Sequence, residues 1–314
     1  MRLGIILGIV SGFLWGLNDV LTNLFSLHVD LDILKSVVVF SLGLAFLQDA
    51  GSSVGILSYY LVKREVISEI KKMKRATIVI VIAALCAGPL GMVAGILGIS
   101  YAGPVYAGVI TSCYPIVALI LSVFLIRERI TNLKVIGIIL SVFAVVMISV
   151  SGAESDANYI ALGMTFAAIA MFGWGMESVL FAWVHLKTNL KPMWLLAIRQ
   201  FASAVSYLII LMGLLFLWHN QLVETFKQMH WPLLIISCII SASFSYILYY
   251  HTIKRIGAAL GTTFNASFVF WAAIFSQLLG LSHLSISFWF WAVILIAGIY
   301  CAVSYRVPKI RLRG

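Results

Sequence analysis

Ten hydrophobic runs, at roughly 3–23, 36–62, 77–99, 102–126, 132–150, 159–183, 193–218, 231–252, 258–280 and 286–305, take up almost the whole chain. Each reaches the about 20 apolar residues that a helix needs to cross about 30 Å of hydrocarbon. In lipid every backbone N–H and C=O must be satisfied by the chain itself, which leaves only helices and closed barrels. The ten-residue alternation of a barrel strand is not visible. Only 10% of the residues are charged and 62% are hydrophobic, too little polar surface for a soluble domain of any size. The predicted fold is therefore all-α and integral to a membrane, with ten transmembrane helices.

Charge sets the expected orientation. Of the 21 Lys and Arg residues, 18 fall at the N-terminus, in the loops after the second, fourth, sixth and eighth runs, and in the tail 306–314. The other loops carry only Lys35 and Lys227, and Arg199 lies inside a run. Positive residues stay on the cytoplasmic side, so both termini are expected to face the cytoplasm of a bacterial inner membrane. The net charge of +10 is then an orientation device with no nucleic-acid footprint. Its largest group, Lys63, Arg64, Lys71, Lys72, Lys74 and Arg75, faces anionic lipid of the inner leaflet in this reading. The run after Arg2 lacks a small-x-small cleavage pattern and is read as a retained span.

Two parts of the chain echo each other. Trp15-Gly16-Leu17-Asn18-Asp19-Val20-Leu21 in the first span matches Trp174-Gly175-Met176-Glu177-Ser178-Val179-Leu180 in the sixth, and Ala102-Gly103 answers Ile256-Gly257. The period is five spans, so residues 1–150 and 159–305 read as two copies of one unit. Five is odd, and the second copy enters the membrane from the opposite side. Two inverted five-helix repeats are the architecture of secondary transporters, whose site lies between the repeats near mid-membrane.

Several side chains belong at that depth. With about 1.5 Å of rise per residue, Trp15, Asp49, Tyr114, Trp174, Phe268 and Trp271 lie about 15–22 Å into their spans. Trp and Tyr normally gather at membrane interfaces, so aromatics at mid-depth need another reason. Packing between helices is one; a cage of ring faces for a quaternary ammonium group is the other. Asn18 and Asp19 follow Trp15, and Glu177 follows Trp174, at spacings that put ring and polar group on one helix face. Charged groups inside a bilayer are costly and mark function. Arg199 and Glu177 come out at similar depth and are expected to pair as a structural link or gate. Asp49 has no basic neighbour in sequence and is the expected counter-charge for a cation or proton, while Asp19 lies toward the outer third.

Trp15-Gly16, Tyr114-Pro115, the turn Arg127-Glu128-Arg129-Ile130 and Gly137, set in ten spans, resemble the EamA-like branch of the drug/metabolite transporter superfamily. Within it the likeness is greatest to the bacterial choline permeases of phosphocholine decoration systems. It rests on Ala87 to Met92, Cys113-Tyr114-Pro115, Trp174 to Leu180, Ile198-Arg199-Gln200, Ser206-Tyr207-Leu208, Tyr249-Tyr250 and Asn265 to Trp271. One departure stands out: Gln48-Asp49 replaces a His-Asp pair. The resemblance implies a permease for choline or a related amine; exporters of amino acids, metabolites or cationic drugs share the scaffold. The expected substrate-binding residues are Trp15, Asn18, Asp49, Tyr114, Trp174, Glu177, Tyr246, Tyr249, Phe268 and Trp271. Asp49, Glu177, Arg199 and Gln200 are the expected gating or coupling set, with protons as a further partner and a homodimer left open.

Enzyme chemistry has no foothold in the sequence. G-x-S-x-G, H-E-x-x-H and the P-loop pattern are missing, and the six histidines are scattered near span ends. Cys86, Cys113, Cys238 and Cys301 sit singly in apolar runs and read as packing residues. No metal or cofactor is expected. Pro89 and Pro115 interrupt the third and fourth spans and are expected to kink them.

Overall fold

The computed structural model describes residues 1–26, 34–73, 75–150, 160–188, 190–228, 232, 242–281 and 283–303. Among these the chain is helical apart from short connections such as 127–131 and 283–285, with no strand. The helices are α1 (Arg2–Ser26), α2 (Leu34–Val62), α3 (Val66–Lys72), α4 (Ile78–Leu85), α5 (Gly91–Thr111), α6 (Tyr114–Ile126) and α7 (Asn132–Val150). They continue as α8 (Ile160–Thr188), α9 (Pro192–Leu217), α10 (His219–Gln228), α11 (Phe244–Ile256), α12 (Ala258–Ala266), α13 (Phe268–Leu278) and α14 (Ile286–Val303). Seven spans among the described residues are long and apolar enough to cross a membrane, and Asn132–Ile148 and Ile286–Ala302 are shorter apolar helices. The protein is a multi-pass membrane protein. Residues 231 and 233–241 of the eighth run and the tail 306–314 lie outside the described residues.

Two expectations about the spans change. The boundary placed near residue 100 moves past Ala102, because Ala102 packs its backbone onto Gly163 of α8 and stays helical. Tyr114 then meets Gly175, further along the same helix, so the chain turns back on itself between Ala102 and Tyr114. Pro115 does not kink a helix from within; it sits at the start of α6, after a break at Ser112-Cys113, where its missing N–H leaves no bond unmade. Pro89 does disturb its span. It lies in a π-turn, Cys86–Leu90, in which Gly88 leaves helical geometry at φ −74°, ψ −106°.

Small residues decide which helices touch, as expected where lipid gives no hydrophobic drive between helices. Gly4, Gly8, Gly12 and Gly16 form one stripe on α1 that meets α11, α12 and α13. On α8, Gly163, Ala167 and Gly175 meet α5 and α6 in the same way. The contacts come in matched pairs. Gly4 lies on Ile256 and Gly163 on Ala102; Gly8 lies on Thr252 and Ala167 on Gly98. A Cβ at Gly16 would stand 2.7 Å from the Phe268 carbonyl oxygen, and one at Gly175 would stand 2.9 Å from that of Tyr114. Helix α2 packs along α9, and α7 along α14.

The α7–α14 seam is the tightest of these. A Cβ on Gly137 would collide with the backbone of Ala302 and stand 2.6 Å from the Gly298 oxygen, whereas one on Gly51 meets nothing within 4 Å. Gly137→Leu is therefore expected to cost at least about 1–3 kcal/mol, the usual penalty for overpacking. Heating the detergent-solubilised protein and following the monodisperse fraction should show lower thermal stability for Gly137→Leu and little change for Gly51→Leu.

Candidate functional site

Four helices, α2, α8, α9 and α11, bring five polar side chains to one point. Arg199, on α9, is among the largest fully buried side chains described. Its Nε donates to Glu177 Oε1 at 2.6 Å, its Nη1 to Asp49 Oδ2 at 2.8 Å and its Nη2 to Tyr246 Oη at 3.4 Å. The guanidinium lies 4.9 Å from the Tyr246 ring centroid, and Tyr250 Oη donates to Glu177 Oε1 at 2.9 Å. Buried Tyr60, Phe181, Trp194 and Tyr249 belong to the apolar core formed by the same helices.

The pairing of Arg199 with Glu177 expected from their depths is present. Asp49 has a basic partner that its neighbours in sequence do not show: α9 crosses α2 and delivers the same guanidinium to it. One arginine between two buried carboxylates leaves a net charge of −1 with both acids ionised. Burying an unbalanced charge is expensive, so the cluster favours a cation or a proton nearby.

Residue 48 adjoins this cluster. Gln48 Nε2 donates to Asn18 Oδ1 at 3.0 Å, both side chains being buried, which ties α1 to α2 one residue before Asp49. An amide there offers a neutral hydrogen bond and cannot carry a proton. Gln200 is buried beside Arg199, but its Oε1 makes no hydrogen bond among the described residues. Asp19 is half-buried on α1 and is not joined to Arg199.

The aromatic candidates separate into groups. Trp15 meets Tyr246 edge-on at 5.1 Å, and Tyr246 stands 6.4 Å from Tyr250, so these rings border the ionic cluster. Tyr249 packs edge-on to Tyr250 at 6.0 Å. Tyr114 lies 6.3 Å from Trp174 and donates to Asn265 Oδ1 at 2.8 Å; Asn265 Nδ2 donates to Ser11 Oγ at 3.1 Å, forming a second polar knot between α6, α12 and α1. Trp174 also donates from Nε1 to the Ala87 carbonyl in the π-turn at 3.2 Å, which makes it a support for the kink. Phe268 opens α13 beside Gly16. Trp271 meets Phe13 and Phe270 edge-on, apart from the carboxylates.

Sequence reasoning left Tyr250 and Asn265 out of the candidate set. The signal for Tyr250 is its place one turn after Tyr246, which puts both hydroxyls on one face. For Asn265 it is a polar amide in the apolar ninth run, a costly residue that needs a partner.

The sequence matches the EamA-like transporter family over residues 2–150 and again over residues 161–304. It is similar to Protein LicB of Haemophilus influenzae strain Rd, with 24% identity over 191 residues that cover 61% of this chain and 63% of that protein. The match thus spans a little under two thirds of that relative. One solved crystal structure superposes with a TM-score of 0.74 at 14% identity, covering 96% of each chain, a likeness of fold alone.

Proposed function

The chain belongs to the EamA-like transporter family, and from that premise we propose that it is a secondary carrier of a small organic cation, choline or a related quaternary amine fitting best. The observation that carries the proposal is the charge of the buried cluster. Asp49 and Glu177 share Arg199, and the remaining negative charge is matched to one monovalent cation. Trp15, Tyr246 and Tyr250 stand beside that charge, Tyr246 already holding the Arg199 guanidinium 4.9 Å from its ring centroid, and aromatic rings suit a cation unable to donate a hydrogen bond. Tyr114, Trp174 and Asn265 form the other wall.

Movement follows from two inverted five-helix halves. Support comes from the double family match and from the reciprocal contacts, Gly16 on Phe268 and Gly175 on Tyr114, which are one contact written twice. Breaks at Ser112-Cys113 and at Ser267 and the π-turn at 86–90 sit in the spans that must bend for alternating access. With the basic loops facing the cytoplasm, an inside-negative potential adds about 2.3 kcal/mol per charge per 100 mV to inward movement of the cation.

Equilibrium binding of labelled choline to the purified protein, competed with betaine and with amino acids, tests the substrate class. Trp15→Ala is expected to weaken choline binding by more than about tenfold, or about 1.4 kcal/mol, while the protein stays monodisperse. Unchanged affinity would remove Trp15 from the site, and absence of choline binding to the unaltered protein would overturn the cation assignment.

A further inference from the structure

Helix α3 does not span the membrane, and its two faces differ. The chain leaves α2 through Arg64, a left-handed residue at φ 55°, closed by hydrogen bonds from Arg64 N to Leu61 O and from Glu65 N to Tyr60 O. This turn points α3 away from the axis of α2. One face then carries Glu65, Val66 and Glu69 toward the protein, and Glu69 is fully buried. The other presents Ile67 and Ile70, 68% and 52% exposed, among the exposed basic residues Lys63, Arg64, Lys71 and Arg75. None of those four bases forms an ion pair within 4.0 Å among the described residues, although Lys63 lies near enough to Glu65 to help hold its carboxyl low. Lys72, by contrast, pairs with Glu69 at 2.7 Å.

The inward face forms a latch on the start of α9. Lys191 Nζ pairs with Glu65 Oε2 at 2.5 Å and lies 5.7 Å from the Tyr60 ring, and the Lys191 backbone N–H reaches Glu69 Oε2 at 3.5 Å. The hydrogen bond from Lys191 holds the Glu65 carboxyl below the usual carboxylate range, so the pair remains charged at neutral pH. The Lys191 carbonyl in turn accepts from the amides of Trp194 and Leu195 in the first turn of α9, the helix that carries Arg199.

We propose that α3 is a docking surface for anionic phospholipid headgroups of the leaflet on its own side, and that docking tightens the latch of Glu65 and Glu69 on Lys191. Exposed bases flanking exposed isoleucines match the interface between headgroups and acyl chains, where each Lys or Arg is attracted to anionic lipid. A free anion would engage the charges and leave Ile67 and Ile70 in water, which favours a bilayer as the occupant. A seated α3 loses freedom, and the contact its other face makes with Lys191 becomes less costly to hold. The proposal rests on the membrane fold and not on the identity of the cargo.

Amide hydrogen exchange on the whole protein in nanodiscs tests both parts, comparing pure phosphatidylcholine with discs containing about 30% phosphatidylglycerol. The anionic discs are expected to slow exchange in residues 65–73 and at Trp194 and Leu195 by at least about fivefold. Inorganic phosphate added to phosphatidylcholine discs should leave exchange unchanged. Combined Lys63→Gln, Arg64→Gln, Lys71→Gln and Arg75→Gln should abolish the lipid effect, and Glu65→Ala with Glu69→Ala, which removes both acceptors of Lys191, should keep it on α3 while losing it at Trp194 and Leu195. Equal exchange of α3 in both discs, an effect retained by the four-fold variant, or an equal effect of phosphate would overturn the docking surface. A response confined to α3 in the unaltered protein would overturn its link to the latch.

Discussion

Arg199→Gln is expected to be the most damaging substitution in the protein. The guanidinium is the shared partner of Asp49 and Glu177, and all three side chains are buried. Removing one partner of a buried ion pair costs about 3–5 kcal/mol because a charge is left uncompensated, and here two are left. The expected result is a large fall in thermal stability, measured on the solubilised protein, or loss of the folded fraction. Arg199→Gln combined with Glu177→Gln returns the cluster to a single negative charge, so the double variant should recover part of the loss. A double variant less stable than Arg199→Gln would mean that the link is held by shape and hydrogen bonds rather than by charge balance.

Glu177→Gln acts the other way, on ligand more than on fold. The amide still accepts from Arg199 and Tyr250 through its oxygen, and Asp49 with Arg199 forms a neutral pair, so the protein should remain folded. What disappears is the surplus negative charge. A unit charge about 5 Å from a cation at an effective dielectric of about 20 contributes about 3 kcal/mol, so cation affinity should fall by about a hundredfold. Equilibrium binding of labelled choline reads this directly. An affinity within a factor of about three of the unaltered protein would show that the rings, not the charge, hold the ligand.

The membrane fold was legible because each span must carry its own run of apolar residues, and the match between Trp15-Gly16 and Trp174-Gly175 marked equivalent positions. Depth arithmetic was enough to pair Glu177 with Arg199, since rise per residue is a local property. Asp49 escaped it because depth along a helix does not say which side chain of another helix reaches across, and α9 offers one guanidinium to two neighbours. The turn near Ala102 was misplaced because Gly, Ala and Tyr there remain helical when packed on α8. Trp174, read from the sequence as a ligand-binding ring, also donates its indole N–H to the Ala87 carbonyl in the π-turn, a tie between spans that sequence spacing does not show. Gln48, the one departure from the resemblance, fits its place by a neutral bond to Asn18.

Uptake of labelled choline into proteoliposomes under an imposed inside-negative potassium diffusion potential tests the central claim most directly. The account predicts accumulation that grows with the potential, is competed by other quaternary amines, and is lost in Glu177→Gln. Accumulation indifferent to the potential, or equal in Glu177→Gln and the unaltered protein, would contradict it.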